Sequence, residues 1–209
     1  MMVRVVKASE IARLIAEPRK GDDTALIFGK IFEECYTFAT YLFDKTFLNK
    51  QMNTKFVRKV AAELKAKRIY SKELVKKAYK MYSALLRAGA KGNKPKTQFK
   101  EYNNILIAAQ PDLWDWLSDS YYEFKTYPID DYARAECKVF SYVIGKPIIL
   151  ISLKENEKGY IDFEKEIIDA KDFKLPQIPP TLGELEEDPR ETEEVWDEDR
   201  EWWNEDEEW

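Results

Sequence analysis

The chain has 209 residues, 44% of them hydrophobic and 14% aromatic, enough to bury a sizeable core in one domain with an extension or in two small ones. Histidine is absent, which excludes Ser-His-Asp and Cys-His hydrolysis and zinc sites that need imidazole; the two cysteines cannot build a four-thiolate zinc or iron–sulfur centre. The net charge of −5 hides a segregation: residues 181–209 hold 15 acidic and 2 basic side chains, a net of −13, and the rest of the chain carries a net of +8.

No apolar run reaches the roughly 18 residues a membrane span needs, and the first residues lack the apolar stretch of a signal peptide. A soluble cytoplasmic protein without membrane partners is expected, in the host cytoplasm if the chain is viral. Cys35 and Cys137 allow at most one disulfide and give no secreted framework. Chemistry therefore falls to carboxylates, lysines, tyrosines and a metal.

Ser9 is placed to cap a short helix from Glu10 to Ala16, ended by Pro18 and Gly21. From Ala25, Ile27, Ile31, Cys35, Phe38 and Leu42 recur at three- and four-residue steps, which predicts a mostly buried helix interrupted by Glu33 and Glu34. Thr54 and Ser71 are candidate caps for helices near 55–69 and 72–88. Val57, Val60 and Leu64, then Leu74, Ala78, Met81 and Leu85, give each of them one buried face. The pair closes in the loop from Gly89 to Pro95.

The pattern then shifts to strands. Residues 104–110 form an apolar run that Pro111-Asp112 breaks, and 114–120 reads as a turn. Residues 121–126 alternate with aromatics and predict a second strand, ended before Pro128. Asp130 or Asp131 caps a helix from Tyr132 to Ile144, which Gly145 and Pro147 end. Residues 147–152 form a buried strand and 159–163 a weaker one. This order predicts an α/β fold, a mixed central sheet flanked by helices. The domain is expected to span 1–173, with a basic helical insertion over about 50–100. Residues 174–209 follow as a Pro-containing linker and an acidic, Trp-rich tail, expected to be disordered.

The constellation that carries chemistry is Pro111-Asp112, then Glu123-Phe124-Lys125. With the two segments on adjacent strands, Asp112 stands at a strand end, and Glu123 and Lys125 project from one face. Two carboxylates at such distance repel unless a divalent cation lies between them, and hard oxygen ligands suit Mg²⁺ or Mn²⁺. The lysine would orient or acidify a metal-bound water. Phosphodiester hydrolysis needs that set: a polarised phosphate, an activated water and a stabilised leaving oxygen.

Pro-Asp after an apolar strand, then Glu-x-Lys inside another, resembles the PD-(D/E)XK nuclease superfamily, with a restriction-endonuclease-like core. The resemblance covers roughly Leu26 to Leu153. It implies a metal-dependent nuclease with Asp112, Glu123 and Lys125 as catalytic residues and Asp112 and Glu123 on the metal. Gly29-Lys-Ile-Phe-Glu33 matches the superfamily's Gly-x-x-x-Glu helix, which implies Glu33 as a further metal ligand, ahead of Glu34. RecB-like members carry Gln-x-x-x-Tyr after the lysine strand; here Lys138-Val-Phe-Ser-Tyr142 has that spacing with Lys in place of Gln. The iron–sulfur cysteines of some relatives are missing. The composition and flanks look like small nucleases of archaeal viruses. The resemblance further implies 5′-phosphate and 3′-hydroxyl products and a homodimer, as for resolvases of this superfamily. Arg134, one turn from Lys138, would meet a phosphate.

From Lys55 to Lys100 there are 15 basic residues and 2 acidic ones, Glu63 and Glu73. Arg58, Lys59, Lys65, Arg68, Lys76, Lys77 and Lys80 would line a phosphate path, with Tyr70, Tyr79 and Tyr82 placed to stack on unpaired bases. No base-reading motif is visible, so single-stranded or branched DNA is the expected partner. The tail, with Trp196, Trp202, Trp203 and Trp209, would dock a protein partner, fold back on the basic helices as a DNA mimic, or serve solubility. The rival to a nuclease is a non-catalytic DNA-binding or adaptor protein using the basic helices and the tail; an acidic inhibitor that mimics DNA is a third reading.

Overall fold

The computed structural model describes residues 2–46 and 49–190, with side chains described there except at 38 and 40–53. The predicted α/β architecture is found, with five helices flanking strands in two mixed four-stranded sheets rather than one. In chain order the elements are β1 (Met2–Lys7), α1 (Ala8–Ile15), α2 (Asp23–Thr46), α3 (Asn49–Ala66), α4 (Lys72–Arg87), β2 (Gln98–Tyr102), β3 (Ile105–Ala109), β4 (Leu113–Asp115), β5 (Ser120–Lys125), α5 (Asp131–Ile144), β6 (Ile148–Glu155), β7 (Ile161–Ile168) and β8 (Glu184–Glu187).

Both sheets repeat one pattern, a parallel pair flanked by antiparallel edge strands. The first sheet runs β2-β3-β1-β8 and the second β4-β5-β6-β7. The parallel strands β5 and β6 are joined through α5. Asp130 caps that helix by accepting the Ala133 amide at 2.8 Å, and Gly145 ends it at φ 76°, a conformation that glycine adopts without strain.

Two cores set the layers. Alternate residues of β5 and β6 face opposite ways: Tyr122, Phe124, Ile151 and Leu153 pack on α2, α3 and α4. Tyr121, Ile148 and Leu150 pack on α5, which also meets Val6, Ile105 and Ile107 of the first sheet. The order is therefore α2–α4, the second sheet, α5, then the first sheet. The basic insertion is part of the core: Phe56, Val60, Leu64, Ala78, Met81 and Leu85 join the same cluster as Phe32 and Tyr36.

Several local expectations change. Ser71 caps α4 as predicted, its Oγ accepting the Leu74 amide at 3.1 Å, but Thr54 lies inside α3. Lys7, not Ser9, precedes α1, and the Glu10 carboxylate accepts the Lys7 amide at 2.8 Å. Residues 113–115 form a short strand where a turn was expected, bridged from outside by the mutual backbone bonds of Asn93 and Trp114. The side chains of Phe38 and Leu42 lie outside the described residues. Cys35 and Cys137 are buried free thiols in different cores.

The largest correction concerns the tail. Disorder was expected of the acidic tail after its Pro-containing linker, yet Leu182 packs with Leu175 and Ile178 against the second core, and β8 pairs antiparallel with β1. Three aliphatic side chains in the linker supply the burial that the acidic composition masks. Arg4 reinforces the join by donating from Nη1 to the Pro180 carbonyl at 2.5 Å. Residues 191–209, which hold the four tail tryptophans, lie outside the described residues. Among the described residues, no helix is long and apolar enough to cross a membrane.

Gly183 is where this join is most constrained. Its φ is +87°, and a Cβ there would stand 2.4 Å from the Val5 carbonyl oxygen and 2.6 Å from Val6 Cγ2. Gly183→Ala is expected to destabilise the protein by about 2 kcal/mol or more in urea unfolding, from backbone strain and steric overlap together. An unchanged midpoint would mean that 182–187 is not docked on β1.

Candidate active site

Asp112 lies where the chain passes from one sheet to the other, between the end of β3 at Ala109 and the start of β4 at Leu113. The sequence reading set the two segments on adjacent strands. In the structure β3 pairs with β1 and β2, and the neighbours of β5 are β4 and β6. Asp112 still reaches Glu123, because β4 follows it at once and delivers it to the edge of β5.

That edge explains the geometry. β4 pairs only with Ser120, Tyr121 and Tyr122, so the ladder stops before Glu123. Beyond it, the Phe124 amide donates to Asp112 Oδ2 at 2.8 Å, and the Asp112 amide donates to Glu123 Oε2 at 3.2 Å. Two side-chain carboxylates thus satisfy backbone donors where the ladder ends. Both residues are buried.

Lys125 joins them as its two-residue offset from Glu123 requires. Its Nζ donates to Glu123 Oε1 at 2.5 Å and to Glu136 Oε2 at 2.9 Å. Glu136 was not among the predicted site residues. It stands on the buried stripe of α5 between Ala133 and Phe140, and an acid on such a stripe is the signal that marks it. Glu33, half-buried on α2, lies near enough to act electrostatically on both Asp112 and Glu123. Glu34 is exposed.

Three carboxylates therefore act on one ammonium, two of them in direct contact, and Glu33 adds negative charge beside Asp112 and Glu123. Burial holds the Asp112 carboxyl well above its ordinary range, and Glu123 and Glu33 push it further. Burial raises Glu123 to about 7, with Lys125 opposing the rise and Glu136 adding to it. Burial alone would lower the Lys125 pKa, but Glu123, Glu136 and Asp112 outweigh it and hold the ammonium well above its usual value. Lys125 is thus a fixed cation and a donor, not a base.

The other predicted residues fall elsewhere. Arg134 forms a bidentate pair with Glu166, at 2.9 and 2.7 Å, and meets Asp131 at 3.4 Å. It lines, with exposed Lys138, a cavity of about 690 Å³ that also takes in Ile15, Glu17 and Phe173. Tyr142 packs edge-on against Phe173 and lies under the Lys100 ammonium, 3.8 Å from its ring centre. The Lys138–Tyr142 spacing therefore serves the second core and the surface, and Glu136 is the α5 residue that meets Lys125.

On the basic helices, Lys59 pairs with Glu63 at 2.7 Å, Lys65 sits over the Tyr70 ring and Lys77 over Phe28. Lys80 donates to the Gly159 carbonyl at 2.5 Å, and Arg68 closes α3 at φ 59°. Arg58 and Lys76 are exposed, with no hydrogen bond or ion pair among the described residues. Tyr82, expected to stack on bases, is buried in the core.

Comparison with protein-family models, curated proteins and solved structures finds no match.

The raised carboxylates carry a stability consequence. Where the folded pKa exceeds the unfolded one, the fold holds its proton more tightly, and stability is lost as pH rises through that interval. For Glu123 the interval runs from 4.5 to about 7. Without divalent metal, stability and with it the thermal midpoint are expected to fall as pH rises across it. Glu123→Gln should flatten the fall. A wild-type midpoint that rises or stays level across this window would show that the carboxylates are not held as described.

Proposed function

We propose that the chain is a metal-dependent deoxyribonuclease, acting in the cytoplasm on phosphodiester bonds of single-stranded or branched DNA. The observation that carries this reading is the meeting of Asp112, Glu123 and Lys125 in one buried, negatively overcharged cluster. A solvated surface pair would not be buried, and a structural ion pair would not set Asp112 and two glutamates against one lysine with Glu33 near by.

The residues fit a divalent cation without forming a cage for it. No three His, Cys, Asp or Glu side chains among the described residues stand together as a ready-made metal group. Mg²⁺ does not require one, since it keeps several waters and takes one or two carboxylates plus substrate phosphate oxygens. Buried Asp112 Oδ1 has no hydrogen-bond partner among the described residues, and the excess negative charge is what a cation would offset. Asp112 and Glu123 would hold Mg²⁺ or Mn²⁺, with Glu33 adding negative charge beside them. The ion supplies a polarised phosphate oxygen and an acidified water.

The chain's own groups do the positioning. Lys125, pinned by Glu123 and Glu136, keeps its proton and points a donor at the attacking water or at a non-bridging phosphate oxygen. Glu136 fixes the ammonium from the helix side, so its removal would loosen Lys125 without removing the cation. Attack by water forms the new P–O bond and breaks the bond to the 3′ oxygen, leaving a 5′-phosphate and a 3′-hydroxyl.

The test is cleavage of labelled single-stranded and four-way-junction DNA with Mg²⁺ or Mn²⁺. Asp112→Ala and Lys125→Ala are each expected to lower the rate by about 10²-fold or more, and chelation should abolish it. Cleavage that survives both substitutions would reject this site. Binding without any cleavage by the wild type would favour the non-catalytic DNA-binding reading instead.

A further inference from the structure

The most unusual surface outside the acidic cluster is a groove between α3 and α4. Its cavity of about 730 Å³ is lined by Thr54, Val57, Arg58, Val75, Lys76, Tyr79 and Lys80. The floor is apolar and the rim is cationic. Among the described residues, Arg58 and Lys76 have no protein partner. Tyr79 is 41% exposed, yet its ring is backed by Tyr82, with centroids 6.5 Å apart and planes 18° from parallel. One face is held by the protein and the ring stays open to a ligand.

We propose that this groove binds a single strand of DNA, with phosphates on Arg58 and Lys76 and a base stacked on Tyr79. This rests on the nuclease reading above and names its substrate class. Three features select the occupant. Two unpaired cations on one rim call for a polyanion. A valine floor and an open tyrosine ring call for flat apolar faces, which bases present only when unpaired. A duplex turns phosphates outward and hides its base faces, so it would use the rim and leave the floor empty.

The groove is tied mechanically to the acidic cluster. Tyr82 meets Tyr36 at 5.7 Å and stacks on Phe56 at 4.5 Å, and Tyr36 meets Phe124 at 5.6 Å. Phe124 is the residue between Glu123 and Lys125. Contacts of 6.5, 5.7 and 5.6 Å laid end to end place the Tyr79 ring within about 18 Å of Phe124. Roughly five nucleotides cover that distance at a stacked spacing of ~3.4 Å. Glu123 and Lys125 face away from this chain of rings, so a strand seated on Tyr79 would pass around the sheet edge and need more than that number of nucleotides to reach the carboxylates.

The experiment measures binding of a labelled single-stranded oligonucleotide to the full chain by fluorescence anisotropy, without divalent metal, across a salt series. R58A/K76A is expected to weaken binding at least tenfold at low salt and to flatten the salt dependence by about 1.4 in log–log slope, as two lost phosphate contacts require. Tyr79→Ala should weaken it about tenfold with the slope unchanged, the signature of lost stacking. The blunt duplex of the same sequence should bind more weakly and be indifferent to Tyr79→Ala. All three side chains lie on the surface, and an unchanged thermal midpoint confirms that the variants fold.

Unchanged single-strand affinity in both variants would overturn the proposal, as would equal loss for duplex and single strand on Tyr79→Ala. So would a wild type that ignores the oligonucleotide and binds an acidic peptide of residues 191–209, since the groove would then be a protein-docking site. Cleavage by Asp112→Asn, read in parallel with metal, separates the two claims. Groove variants that bind normally while Asp112→Asn fails to cut would defeat the groove and leave the nuclease standing. Wild type that never cuts, with binding lost in the groove variants, would do the reverse.

Discussion

The site depends on a reciprocal clamp at the place where β4 is too short. Asp112 accepts the amide of Phe124, and Glu123 accepts the amide of Asp112. Each carboxylate performs a backbone duty, so neither is free to turn away, and the two are locked side by side out of water. Their mutual repulsion is a cost that the fold carries whenever both are ionised, and it helps hold their protons on. A longer β4 would offer the Phe124 amide a carbonyl and release Asp112 from that bond. The short strand thus leaves a place for the acidic pair, and Lys125 with Glu136 partly compensates it.

Rigid surroundings keep that pocket in shape. Phe124 points to the opposite face from its neighbours and is caught between Phe32 and Tyr36, at 6.0 and 5.6 Å. Phe56 and Tyr82 extend the ring cluster into α3 and α4. A shift of the basic helices would have to repack this cluster, and close-packed interiors resist such change. On the other face α5 lies between the two sheets and brings Glu136 to Lys125 from a helix that cannot move without disturbing both. The polar pocket and the aromatic cluster are thus two faces of one strand.

Much of this was legible in the residues themselves. Period-two alternation in β5 shows that Glu123 and Lys125 share a face, and Pro111-Asp112 after an apolar run shows where a strand ends. Ser71, Asp130 and Gly145 mark their helix ends by local chemistry that needs no tertiary contact. The missing parts are non-local. Nothing near Ile105 says that β3 pairs with β1 a hundred residues earlier, so the division into two sheets was not visible. Glu136 was passed over because an acid in a helix is ordinarily solvated, and only the presence of Lys125 opposite it gives it a role. The tail misled because charge dominates its composition, whereas Leu175, Ile178 and Leu182 and a backbone edge on β1 decide its first part.

The same comparison bears on how the charges are distributed in space. One expectation from the sequence is an acidic arm folded back on the basic helices, since their net charges match in size. The described part of the arm does something else: Glu184–Glu187 lies along β1, and Arg190 pairs with Asp188 at 2.7 Å and reaches Glu101 at 3.8 Å. Those acids are therefore engaged on the first sheet, beyond α5 from the second. Among the described residues, Arg58 of α3 and Lys76 of α4 have no partner, on the layer next to the second sheet. A cationic surface and a pocket that lacks positive charge stand on neighbouring layers joined by a chain of packed rings. In the proposed nuclease each answers a different part of one substrate: the helices attract its backbone, and the pocket, which would repel a phosphate when empty, admits one only together with a cation.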